Sequence, residues 1–248
     1  MKVVGRTVAG TVSMLGLAAL VLVAGTSGDA SALAPEPTPA GLVFSFGDRV
    51  ARIAADGSDR RYLTSTGPFD RGDLEGRTGD ANAQISPDGS RLLLTRFTPD
   101  GSYGVRDAIV LADADGRNPR RILHGNRRVT FSSPAWMPDG KSVAVARTVD
   151  RGRSTLRSVV IAGLDGKAVK TVFKLPPHRQ GNLREDLRSY REPVDIAVSP
   201  DARKLLITVS DGYAYDRKWL MLVDLDSGRQ RYVGKNTRHG SFSPDGNR

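Results

Sequence analysis

The sequence predicts an all-β chain of repeated four-stranded antiparallel units, on three observations: its composition, a hairpin written four times, and a fixed spacing after each hairpin. Aromatic residues make up 6% of the 248 residues, while 27 glycines and 14 prolines are spread along the chain. That mixture favours many short strands joined by tight turns over long helices. A hydrophobic share of 39% is enough to build a buried core.

The hairpin reads ISPDGSRLLLTR from Ile85, WMPDGKSVAVAR from Trp136, VSPDARKLLITVS from Val198 and SFSPDGNR from Ser241. Proline presets φ at the first central turn position, aspartate bonds the local backbone, and glycine accepts positive φ. The turns are therefore Pro87-Asp88-Gly89, Pro138-Asp139-Gly140, Pro200-Asp201 and Pro244-Asp245-Gly246. Ala202 stands where the third copy lacks glycine, and a strained or differently shaped turn is expected there.

Each hairpin is followed by an apolar strand, an acidic-glycine turn and a basic strand. Those second turns are Asp56-Gly57, Asp115-Gly116, Asp165-Gly166 and Asp226-Ser227-Gly228. Asp88 to Asp115, Asp139 to Asp165 and Asp201 to Asp226 span 27, 26 and 25 residues, a near-constant distance that defines a rigid unit. A four-stranded antiparallel unit recurring at this period is the signature of a β-propeller blade. Whole blades are expected over 83–124, 133–174 and 194–234. Leu42 to Thr64 would supply the later strands of another, and His239 to Arg248 an opening strand and turn.

The strings PAWMPDGKSVAVAR and DADGRNPRRIL resemble the repeats of TolB-type propellers, relatives of WD-type repeats, and the likeness runs from Gly41 to the C-terminus. The resemblance implies a binding or interaction module, and a ring of more blades than this. The expectation is an incomplete ring, with four blades closed through the two terminal pieces as the alternative.

Ahead of the repeats, Lys2 and Arg6 precede an apolar stretch from Thr7 to Ala24, and Ala30-Ser31-Ala32 and Ala32-Leu33-Ala34 fit a small-residue cleavage rule. The expected organisation is a leader over 1–32, a Pro-rich linker over 33–40, and the propeller over 41–248. The location is then secreted or cell-envelope, with no membrane span after cleavage; a retained anchor is the alternative reading.

No cysteine is present, so there is no disulfide, thiolate metal site or thiol nucleophile. His124, His178 and His239 lie far apart, without zinc-site spacing. Asp113-Ala114-Asp115-Gly116 and Asp224-Leu225-Asp226-Ser227-Gly228 do not match a calcium loop and read as hairpin turns. The only near match to a nucleophile elbow, His239 to Ser243, aligns with opening strands. No cofactor, metal or catalytic residue is expected. Trp136, Trp219, Phe131 and Phe242 read as wedges between blades.

Antiparallel strands put both sets of acidic turns on one face and the variable loops on the other. The loop face carries Arg151, Arg153, Arg184, Arg188 and Arg191 as candidate anion ligands, with Tyr213 and Tyr215 as candidate contact aromatics. The net charge is +10, or +9 once Lys2, Arg6 and Asp29 are removed with the leader. A non-catalytic binding module for a protein or an anionic envelope polymer is the expected function. The competing classes are the propeller portion of a larger serine hydrolase or peptidase, and a propeller lyase. Basic loops without interleaved aromatics argue against specific nucleic-acid recognition, and a monomer is expected.

Overall fold

The computed structural model describes residues 41–46, 48–64, 78–99, 105–167, 169–176, 178–179, 192–210, 218–235, 237 and 240–246. The expected leader and linker, Arg184, Arg188, Arg191, Tyr213 and Tyr215 lie outside the described residues. Alternating apolar positions and proline-glycine turns give four antiparallel sheets arranged as a four-blade β-propeller.

Blade 1 has three strands, β1 (Gly41–Phe46), β2 (Arg49–Ala54) and β3 (Arg61–Tyr62). Blade 2 is β4 (Gly79–Ile85), β5 (Arg91–Pro99), β6 (Val105–Asp113) and β7 (Arg120–His124). Blade 3 is β8 (Val129–Trp136), β9 (Ser142–Asp150), β10 (Ser154–Gly163) and β11 (Lys170–Lys174), and the short β12 (His178–Arg179) also pairs with β10. Blade 4 is β13 (Glu192–Val198), β14 (Lys204–Ser210), β15 (Lys218–Asp224) and β16 (Gln230–Lys235). The opening strands of blades 2 to 4 start a few residues earlier than the repeat pattern indicates, because each continues past a bulge. Bulges raise local twist, which fans the blades about a common axis.

The repeat turns do what their residue types dictate. Gly89 N–H donates to Ser86 C=O at 2.9 Å and Gly140 N–H to Met137 C=O at 3.0 Å. Asp88 and Asp139 accept the backbone N–H two residues on, from Ser90 at 3.1 Å and Lys141 at 2.8 Å. Ala202 keeps the same turn, with its N–H on Ser199 C=O at 2.9 Å and φ of 59°. The third turn is thus strained but not reshaped. Asp115 and Asp165 accept the N–H of Arg117 and Lys167, confirming hairpin turns there.

Three apolar clusters seal successive blades: Val50, Leu92 and Leu94 between 1 and 2; Leu93, Val143 and Val145 between 2 and 3; Ala144, Leu205 and Ile207 between 3 and 4. Burying each aliphatic side chain stabilises the fold by about 1.5–3 kcal/mol. Trp136 wedges as its sequence context indicates, its indole N–H donating to Gln84 C=O of the preceding blade at 3.3 Å. Among the described residues, blade 4 neither pairs with nor packs broadly against blade 1. The segment 240–246 lies on blade 4, where a Cβ at Gly240 would meet the side chains of Leu206 and Leu220.

Candidate functional site

Two arginine-bearing turns meet on the loop face of blade 3. The β7–β8 connection turns at Asn126, whose side-chain oxygen accepts the N–H of Arg128 at 2.8 Å and of Val129 at 3.0 Å. The β9–β10 connection is an aspartate-capped turn, with Asp150 Oδ1 accepting Gly152 N–H at 2.7 Å and Arg151 N–H donating to Ser154 C=O at 2.9 Å. Asp150 N–H then donates to Arg128 C=O at 2.7 Å and fastens one turn to the other. The result is a fixed platform from which Arg127, Arg128, Arg151 and Arg153 project into solvent. Arg128, Arg151 and Arg153 have no ion-pair partner among the described residues. Like charges held this close attract a carboxylate or phosphate more strongly than scattered ones.

A groove of about 310 Å³ runs between blades 3 and 4, lined by Phe173, Leu175, Val209, Trp219, Met221 and Tyr232. Trp219 packs on the inter-blade core, as its sequence context indicates, and also lines this groove.

Three further polar groups lie within strands that end at this face. Arg157, on β10, is only 6% exposed. Arg147 reaches Thr171 Oγ1 at 3.4 Å, while its buried Nε has no hydrogen-bond partner among the described residues. Asp107, beside the loop root on β6, is pushed up to about 6 because burial disfavours its charged form. Arg147 and Asp107 sit inside strands, where sequence offers no signal that separates them from ordinary alternating polar positions. The pairing Arg128–Asp150 was equally illegible, because it joins backbone groups of two loops.

No protein-family model matches the chain, and no curated protein matches it either. Solved structures do. A puromycin hydrolase S511A mutant aligns at 18% identity and a TM-score of 0.50, over 80% of this chain and 30% of that one. The β-propeller domain of the Trilobed protease from Pyrococcus furiosus aligns at 17% identity and 0.40, over 64% and 42%. An oligogalacturonate lyase in complex with manganese aligns at 11% identity and 0.42, over 79% and 62%. The chain spans less than two thirds of the length of each. The likeness is one of fold. What is shared is the β-propeller architecture, and blades of this design serve proteins of several unrelated activities.

Proposed function

We propose that the chain is an exported, TolB-like, non-catalytic binding module of the cell envelope that takes an anionic partner on its loop face. The observation that carries this reading is the Asp150–Arg128 bond, which presents the arginines of two turns as one platform. Arginine has forked donors suited to carboxylate and phosphate, and each exposed contact contributes about 1 kcal/mol.

The test compares two charge-reversal sets for binding to alginate and to polyphosphate. One set replaces Arg128, Arg151, Arg153, Arg184, Arg188 and Arg191 by Glu; the control set replaces Arg91, Lys141 and Arg203 on the opposite face. The loop set is expected to weaken binding by at least about 100-fold, in a salt-dependent way, with the control nearly unchanged. Equal losses from both sets would show diffuse charge and no specialised face. Shortening of alginate during the incubation would instead favour the lyase class.

A further inference from the structure

Strand register identifies equivalent positions in successive blades. Val209 pairs with Trp219 in blade 4, Arg147 with Ser158 in blade 3 and Arg96 with Ala108 in blade 2. Val209, Arg147 and Arg96 each stand eight residues after the aspartate of the first turn, and Trp219, Ser158 and Ala108 each seven before the aspartate of the second. One strand further out, Tyr232 pairs with Met221 as Thr171 pairs with Val160 and Arg121 with Val110. These positions look towards the preceding blade: Val209, Trp219 and Met221 pack on the cluster between blades 3 and 4, and Val145 and Val160, the alternating neighbours of Arg147 and Ser158, on that between blades 2 and 3.

The blades finish this place differently. In blade 3, Arg147 spans from β9 to β11 and donates to Thr171 Oγ1 at 3.4 Å; in blade 2, Arg96 turns to Asp80. Blade 4 cannot build such a brace, because valine, tryptophan and tyrosine stand where blade 3 has arginine, serine and threonine. Here lies the groove of about 310 Å³. Its wall on blade 3 continues past the end of β11, where Leu175 N–H donates to Arg157 C=O at 2.9 Å. Besides the Tyr232 hydroxyl, the side-chain donors of the lining are the exposed Lys174 and Gln230, and among the described residues no acidic side chain lines it. Lys174 has no ion-pair partner among the described residues. An apolar cavity of about 150 Å³ takes one benzene ring, so about twice that volume takes a ring with a short chain.

We propose that the groove between blades 3 and 4 binds a small aromatic carboxylate, its ring among Phe173, Trp219 and Tyr232 and its acid group on the Lys174 ammonium. Apolar and aromatic walls with a few convergent polar groups are the makeup of a small-molecule site: the walls hold the ring and the polar groups orient it. The single charge of the lining is positive, which selects an acid over a neutral or cationic molecule of the same shape. The groove shares no residue with the arginine platform, so this site stands whether or not the loop face takes a polymer.

Methionine reports on the groove directly. Of the four methionines, Met221 lines it, while Met137 is buried in the same inter-blade cluster but outside the lining. In full chain isotope-labelled at the methionine methyls, 3-phenylpropionate is expected to shift the Met221 resonance saturably, with a Kd of about 1 mM or tighter, and to leave Met137 in place. The neutral amide of the same shape, 3-phenylpropanamide, should bind about threefold to fivefold more weakly than the acid, and Lys174→Gln should cost the acid the same factor. Tyr232→Ala, at an exposed side chain whose loss does not threaten folding, should weaken the acid about fivefold while leaving the circular dichroism unchanged. Lys141→Gln, on the opposite face, should bind like the parent chain. A Met221 resonance that does not move, or that moves together with Met137, would overturn the proposal. So would equal affinity for acid and amide, or unchanged binding by Tyr232→Ala.

Discussion

Arg96 grips a fully buried carboxylate: its Nε and Nη2 donate to the two oxygens of Asp80 at 2.7 and 2.8 Å. The Asp80 hydrogen bond raises the guanidinium above its ordinary pKa. Asp80 N–H in turn donates to Asp48 C=O of blade 1 at 2.8 Å, so the ion pair stands where two blades join. Removing one partner strands the other in a poor dielectric. Arg96→Ala is expected to destabilise the chain by about 3 kcal/mol. In denaturant melts, Arg96→Ala combined with Asp80→Ala should lose less than the sum of the two single changes. Additivity would show that the two side chains act independently.

The repeat turns offer a matched pair of opposite sign. Ala202 holds φ of 59°, a conformation costing a β-carbon about 1–2 kcal/mol, and Gly140 fills the same place with φ of 61° and open space around it. Ala202→Gly should stabilise by about 0.5–1 kcal/mol, the strain relief being partly offset by lost packing of a half-buried methyl and by a freer unfolded chain. Gly140→Ala should destabilise by about 1 kcal/mol. Thermal melts that move both variants in the same direction would refute this account of the turn.

Most of the architecture was legible in the sequence, because each blade is specified by local turn chemistry and by alternation within short strands. Pro138-Asp139-Gly140 is a hairpin wherever it stands, and Trp136 beside it is too large and apolar to face water. The relations between distant segments were not legible. The loop-face arginines were found as a compositional excess, but only Arg151 and Arg153 of the five expected ligands fall among the described residues. That their turn is fastened to Arg128 follows from a backbone bond, for which no side chain is a signal.

A close approach distinguishes Gly116 and Gly166 from the other turn glycines. A Cβ at Gly116 would lie 1.9 Å from the Leu63 carbonyl oxygen, and at Gly166 2.1 Å from that of Ile122. Backbone cannot yield as a flexible side chain does, so the blades would have to part. Gly116→Ala is expected to cost about 3 kcal/mol or more, well beyond the strain-only loss at Gly140. Equal melting shifts at the two positions would mean that the inter-blade contact is soft.

Two sets of aspartates give the stability a pH profile with opposed slopes. Asp88 accepts hydrogen bonds from Ser86 Oγ and from Ser90, which lower it from 3.8 to about 2; Ser199 lowers Asp201 in the same way. A carboxyl lowered on folding contributes stability above its unfolded value, and the contribution is lost as pH falls from about 4 towards 2. Asp107 has the reverse sign. Raised from 3.8 to about 6 by burial, it favours the fold while protonated, and that support is lost as pH rises from about 4 to 6. Asp107→Asn removes the buried charge, so it should stabilise by about 1–2 kcal/mol at pH 7 and by little at pH 3. Ser86→Ala, which removes the hydrogen bond heading the causes at Asp88, should instead flatten the acid limb and leave the neutral slope intact. Denaturation midpoints across pH 2 to 8 decide the matter: an Asp107→Asn gain that is the same at both ends of the range would remove burial of its charge as the cause.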